Sequence, residues 1–215
     1  MTETTAPLSG RRAQAARNDE VILKSARAVF IADPGAPISA VAEHAGVGIS
    51  ALYRRYPSKE ELLRKLCTDG LAQYIEEAEA ALADDGEPWQ AFSRFLHRLV
   101  EIGSSSLTRR LAGTFTPTPE LYEAAQRAQD LNVQVFDRVA GQLRKGVVVD
   151  DMGLLLEQVT SLQVGDPERS NQLQHRYLAI ALDGLRAGDG DLPGPPPDWA
   201  EMAARWSGPK PAPKS

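Results

Sequence analysis

Proline and glycine cut this chain into lengths that suit helices. Breaks fall at Asp33-Pro34-Gly35-Ala36-Pro37, Gly46-Val47-Gly48, Pro57-Ser58, Asp84-Asp85-Gly86-Glu87-Pro88, Thr114 to Pro119 and Gly165-Asp166-Pro167. Proline lacks the N–H that a helix interior requires, and glycine lowers the cost of leaving the helix. Between the breaks, apolar residues recur at three- and four-residue spacing, the period of a helix with one buried face. Val21, Ile22, Ala28, Val29 and Phe30 show it early in the chain, and Trp89, Phe92, Leu96 and Leu99 show it in the middle. Strand-like alternation is scarce. The one β-branched cluster, Val147 to Val149, is too short and isolated to build a sheet. The expected fold class is all-α.

The spacing predicts helices over about Ala13–Ala32, Ser39–Ala45 and Ile49–Tyr56. Ser58-Lys59-Glu60-Glu61 is a capping box that starts a long helix ending near Ala83. Further helices are predicted from Trp89 to about Leu107, Glu120 to Leu143 and Met152 to Leu162. A last one begins at Asp166-Pro167, an N-cap followed by proline at the first helical position, and runs to about Ala187. Residues 188–215 have tail composition, with 7 Pro and 4 Gly in 28 residues. Within them, Asp198 to Trp206 has apolar residues at i, i+3, i+4 and i+7 and holds two of the three tryptophans, so this short helix is expected to dock on the body or on a partner.

The 215 residues suffice for a sizeable core, and no apolar run approaches the roughly 18–20 residues of a membrane helix. No membrane partner is therefore expected. The N-terminus lacks an apolar signal region, and the single cysteine, Cys67, excludes an intrachain disulfide; a cytoplasmic setting is the simplest expectation. The net charge of −5 argues by itself against nucleic acid, but it is unevenly placed. Residues 1–66 carry 10 Lys/Arg against 7 Asp/Glu, a net +3, and the remainder is −8. A basic end on an acidic chain fits a protein of which one end meets phosphate.

The stretch Pro37 to Lys59 has the physical pattern of a helix-turn-helix. Small Ala42 and Ala45 permit close helix approach, Gly46 suits a left-handed cap, and Val47, Leu52 and Tyr56 fall on an inward face. Ser50, Ala51, Arg54 and Arg55 fall outward with Tyr53 at the edge, a surface of small side chains beside arginines that suits a major groove. This stretch closely resembles the N-terminal domain of the TetR family of bacterial transcriptional regulators. Val41-Ala42, Ala45-Gly46-Val47, Ser50-Ala51, Leu52-Tyr53, Tyr56 and Lys59 fall in step with the family pattern, and the motif covers about residues 13–66. Three positions depart from it. Gly48 stands where the family usually has a capping serine, Ile49 where it is often polar, and Arg55 where it usually has histidine.

The resemblance implies a division into a flexible basic arm (1–12), a three-helix DNA-binding domain (13–57), a helical ligand-binding and dimerisation domain (58–187) and the tail (188–215). It implies that Tyr53, Lys59, Arg55 and Ser39 hold phosphates and that Ser50, Ala51 and Arg54 face base edges, with Ala51 suited to a thymine methyl. Arg11 and Arg12 would enter a minor groove or add salt-dependent attraction. It places a homodimer interface on the last two long helices, where Leu155, Val159, Leu162, Leu173, Tyr177 and Ile180 recur at helical spacing. A small-molecule effector of unknown identity would sit among Trp89, Phe92, Leu96, His97, Tyr122, Gln126 and Gln158; the aromatic stripe fits either core or cavity wall.

No catalytic constellation is present, so no enzymatic activity is expected. The three histidines have no neighbours at ligand spacing, so no metal or cofactor is expected. The implied function is a dimeric transcriptional regulator, a repressor released from a palindromic operator on double-stranded DNA by its effector. The alternatives are an effector-independent DNA-binding regulator, and a helical ligand-binding bundle whose DNA head is non-functional.

Overall fold

The computed structural model describes residues 10–103, 107, 111, 114–186, 190–197 and 200–201, with side chains from Arg17 onward. Every regular element among the described residues is helical, so the chain is all-α as expected. It divides into two compact units, Met1–Leu63 and Arg64–Ser215. Most of the predicted Trp199–Trp206 helix lies outside the described residues; of that segment only Ala200 and Glu201 are described, and both are helical.

The first unit contains α1 (Gly10–Ala32), α2 (Ile38–Ala45), α3 (Ile49–Arg55) and the start of α4 (Lys59–Ala83). Helix α1 begins three residues before the predicted Ala13. Arg11 and Arg12 thus lie in its first turn, while their side chains fall outside the described residues. Asp33 closes α1, its carboxylate accepting from the Gly35 amide at 2.8 Å. Gly46 ends α2 with φ 63° and ψ 29°, the left-handed conformation, and the Val47 amide then reaches back to the Ala42 carbonyl at 3.0 Å. This turn sets α3 off in a new direction. Ile22, Ala26, Phe30, Val41, Leu52 and Tyr56 form the core of the unit, each at most 5% exposed.

The second unit contains the remainder of α4, then α5 (Pro88–Ile102), α6 (Pro119–Asp137), a 3₁₀ turn (Ala140–Gln142), α7 (Val149–Thr160) and α8 (Pro167–Arg186). Glu87 caps α5, accepting from the amides of Trp89 at 3.1 Å and Gln90 at 2.9 Å. The helix stops at Gly103, φ 64°, short of the predicted Leu107. Trp89, Phe92, Phe95, Leu96, Leu99 and Val100 are all buried. Phe95 meets Tyr74 edge to face at 5.6 Å between ring centres, and α5 packs against α7 and α8.

Helix α6 ends at Asp137 rather than near Leu143, and the next residue, Arg138, uses its side chain to cap α4. Its guanidinium donates to the carbonyls of Ala81 at 2.6 Å, Leu82 at 3.0 Å and Asp84 at 2.8 Å. Helix α7 starts at Val149, three residues before the predicted Met152, because Asp151 folds back to accept from the Val148 amide at 2.8 Å. The Asp166-Pro167 start is as predicted, with the Asp166 carboxylate accepting from the Arg169 amide at 2.8 Å. Cys67 is buried.

The two glycines flanking Val47 differ in what the backbone demands of them. Gly46 is left-handed with open space where a Cβ would point, so Gly46→Ala is expected to cost the first unit about 1–2 kcal/mol by conformation alone. Gly48 has φ −64° and equally open space. Gly48→Ser is expected to shift stability by a few tenths of a kcal/mol, toward the more stable side, because serine is the better N-cap. Thermal melts of the two variants check the pair.

Candidate functional site

Leu52 and Tyr56 anchor one face of α3 in the core, at 0% and 5% exposure. That anchoring turns Ile49, Ser50, Tyr53, Arg54 and Arg55 to the surface, with Ala51 half-buried; Ser39, in the first turn of α2, is also exposed. The outward surface expected from the sequence is therefore assembled. Its cations, however, are differently engaged.

Arg55 forms a forked pair with Asp19 of α1: Nε donates to Oδ1 at 2.7 Å and Nη2 to Oδ2 at 2.9 Å. The Tyr56 hydroxyl donates to the same Oδ1 at 2.6 Å. The Asp19 carboxylate thus gathers three donors from the end of α3, and its hydrogen bonds to Arg55 hold the guanidinium charged well above its ordinary range. The Arg55 side chain is still 57% exposed, so its outer edge faces solvent. Lys59, the first residue of α4, sends its ammonium to the carbonyls of Pro34 at 3.3 Å, Gly35 at 3.2 Å and Ala36 at 2.7 Å, and stands 5.1 Å from the centre of the Phe30 ring. An ammonium has three donors, and here all three have carbonyl partners. Of Arg54, Arg55 and Lys59, only Arg54 has no intramolecular partner among the described residues. Asp19 was not legible as a site residue, because its partners lie 36 and 37 positions away.

In the second unit, Trp89, Phe92 and Leu96 are buried, with Trp89 tilted on Phe92 at 5.5 Å and covered by the Arg186 guanidinium at 4.8 Å. Tyr122 is 65% exposed, and Gln126 and Gln158 are exposed as well. The seven residues expected around an effector are therefore not brought to one surface. His97 meets His175 of α8 with their Nδ1 atoms 2.7 Å apart, ring centres 5.0 Å apart and planes inclined by 17°. The nitrogens are closer than a face-to-face stack permits and lie between the ring centres. The rings thus meet corner to corner, one Nδ1–H donating to the other's lone pair. Burial, then the neighbouring His175, push the His97 imidazole below its ordinary range, with Glu101 opposing.

Leu155, Val159 and Leu162 of α7 and its following turn, with Tyr177 and Ile180 of α8, line one apolar groove of about 360 Å³, and Gln158 lies in it too. Tyr177 and Ile180 are 51% and 55% exposed. Leu173 is half-buried and outside this groove. A second groove, of about 330 Å³, shares Leu155 and Gln158 and continues past Met152 and Leu185 to Leu192. Among the described residues, no helix is long and apolar enough to cross a membrane, and no three His, Cys, Asp or Glu side chains converge as metal ligands.

Residues 22–66 match the family model described as bacterial regulatory proteins, tetR family. The fold is shared with solved structures, of which three serve as examples. The TetR-like regulator LfrR from Mycobacterium smegmatis, in complex with proflavine, is 19% identical with a TM-score of 0.53, covering 77% of this chain and 96% of that one. The ketosteroid transcriptional regulator KstR2 of Mycobacterium tuberculosis is 18% identical with a TM-score of 0.54, covering 86% and 100%. A gamma-butyrolactone receptor, an ArpA-like protein, is 15% identical with a TM-score of 0.53, covering 77% and 99%. No curated protein matches the chain.

Two outcomes follow from these contacts. Asp19→Asn removes the charge that three donors share, and is expected to destabilise the first unit by about 1.5–3 kcal/mol, the range for hydrogen bonds to charged groups. Arg54→Ala should leave the melting temperature unchanged, and calorimetry of the two variants separates them. His97 binds its proton less readily folded than unfolded. The unfolded chain therefore takes up more protons as pH falls below the ordinary imidazole value of 6.5, and stability present above that value is lost on acidification. The melting temperature should fall between pH 7.5 and 5.5, with a shallower slope in His97→Gln; equal slopes would exclude His97 as the source.

Proposed function

We propose that this chain, which belongs to the TetR family by its N-terminal domain, is a homodimeric DNA-binding transcription regulator that works in the cytoplasm. In this reading it is a repressor released from a palindromic operator by a small-molecule effector. The observation that carries the DNA reading is the outward surface of α3. Ser50, Tyr53 and Arg54 are presented to solvent by a helix that Leu52, Tyr56 and the Arg55–Asp19 pair hold in place. Entering a major groove, Ser50, Ala51 and Arg54 meet base edges, with Arg54 suited to a bidentate bond to guanine. Tyr53, Ser39 and the outer edge of Arg55 take phosphates. Lys59, committed to three carbonyls, serves by holding the turn that presents Ser39. Arg11 and Arg12 add salt-dependent attraction.

The dimer reading rests on the exposed apolar groove of α7 and α8. Two copies of such a face, related by a two-fold axis, make a four-helix interface and set two recognition helices against two successive half-sites. The effector reading rests on likeness of fold to proteins whose names include a proflavine complex and a gamma-butyrolactone receptor. Release requires tighter effector binding to the DNA-incompetent state, since equal affinity for both states shifts nothing.

The test is selection of bound sequences from a random DNA pool by the purified protein, then affinity for the winner across a salt series. A palindromic consensus is expected, with affinity falling log-linearly as salt rises. Arg54→Ala should weaken binding by about 5- to 100-fold and relax the preference at one base pair per half-site. No enrichment from the pool would overturn the reading.

A further inference from the structure

The exposed side of α3 also carries an apolar pair. Ile49 is 40% exposed and Tyr53 is 46% exposed; they are four residues apart and so share a face. In the first unit, the only other large apolar side chain exposed among the described residues is Val21 on α1. Leu52 is fully buried in the core, while Ile49 and Tyr53, flanking it on the helix surface, remain partly open to solvent.

The residue before Ile49 is equally unexplained by the fold. Gly48 has an extended backbone, φ −64° and ψ 136°, that any residue adopts. A Cβ there would meet nothing within 4 Å, and no side chain caps the helix. Serine would fit and would cap better. What glycine supplies is a bare shoulder beside Ile49, across which a second molecule can approach.

The N-terminal residues of a recognition helix are the ones that meet base edges. The major groove displays polar edges on every base pair and a single apolar group, the C5-methyl of thymine. Pressed on a guanine, cytosine or adenine edge, the Ile49 side chain would strip water from donors and acceptors and return no hydrogen bond. On a thymine methyl it loses nothing and buries apolar surface on both partners.

We propose that Ile49 is a specificity residue that reads thymine, its side chain seated against the C5-methyl group, with Gly48 leaving room for the base and Tyr53 one turn along the same face. The proposal rests on the DNA-binding reading above and deepens it: each operator half-site carries a T·A pair at the position under Ile49.

The test uses the operator obtained by selection. Each thymine of a half-site is replaced in turn by deoxyuridine, which lacks only the methyl, and the dissociation constant is measured for the wild-type dimer and for Ile49→Ala. One replacement per half-site is expected to weaken wild-type binding about fourfold, the worth of one buried methyl-sized group. Ile49→Ala is expected to bind more weakly and to tolerate that same replacement without loss. Ile49 is exposed, so the variant should melt with the wild type, which a thermal scan verifies. Wild-type binding that is specific yet indifferent to every deoxyuridine overturns the proposal, as does Ile49→Ala that keeps the full deoxyuridine penalty; the DNA-binding reading survives both. Failure of the wild-type protein to select any sequence is the distinct result that removes the reading, and the proposal with it.

Discussion

Helix α3 is seven residues long, well below the length at which a helix persists in water by itself. Its direction and its outward face therefore depend on what fixes it. Leu52 is buried from one side, and the Tyr56 ring closes its end. The Asp19 carboxylate takes Nε and Nη2 of Arg55 together with the Tyr56 hydroxyl, tying the C-terminal end of α3 to α1. The left-handed Gly46 sets the angle at which the chain enters the helix. Each exposed side chain on α3 is positioned by these four restraints, and an error in any of them would rotate the whole reading face.

The restraints carried by backbone chemistry are visible in the sequence, and those carried by distant side chains are not. Gly46, the Asp166-Pro167 start and the stop at Asp33-Pro34-Gly35 act within a few residues, and local spacing exposes them. Arg55 and Lys59 have the composition of phosphate contacts, but their partners lie 36 and 23 to 25 residues away, and nothing in the local pattern distinguishes an outward arginine from one folded onto α1. The early start of α7 lies between these cases. Asp151 is the acidic residue three positions after an N-cap, a readable signal, yet the β-branched run before it suggests an extended segment.

The second unit shows the same limit. Periodicity identifies the buried stripe of α5 through Trp89, Phe92 and Leu96, and it identifies the apolar stripes of α7 and α8 that line one groove. It does not say which neighbour a stripe meets. His97, a candidate for the wall of an effector site, meets His175, 78 residues later, a pairing that local spacing does not reveal. Tyr122 and Gln126 lie on the exposed side of α6, because Leu121, Ala128, Asn132 and Val135 take the buried side. A helix of mixed composition offers more than one plausible inward face, and packing selects among them.

In the proposed function, these engagements bear on how such a head holds DNA. Of the three cations at α3 and the start of α4, Arg55 is paired with Asp19 and Lys59 is held by three carbonyls, which leaves Arg54 as the one without an intramolecular partner among the described residues. Residues 1–66 net only +3 with Asp19 already counted, and the remainder of the chain is −8, so long-range attraction to phosphate is modest. In the proposed reading, affinity then comes from contact in the groove and from joining two heads. Joining makes the second binding event intramolecular, which multiplies the affinity of two weak heads without any new contact. The apolar groove of α7 and α8 and the apolar shoulder of α3 thus answer one problem. In that reading, a regulator that commits Arg55 and Lys59 to holding its own recognition helix gains a defined reading surface. Symmetry and shape would then supply strength that a net charge of +3 gives only modestly.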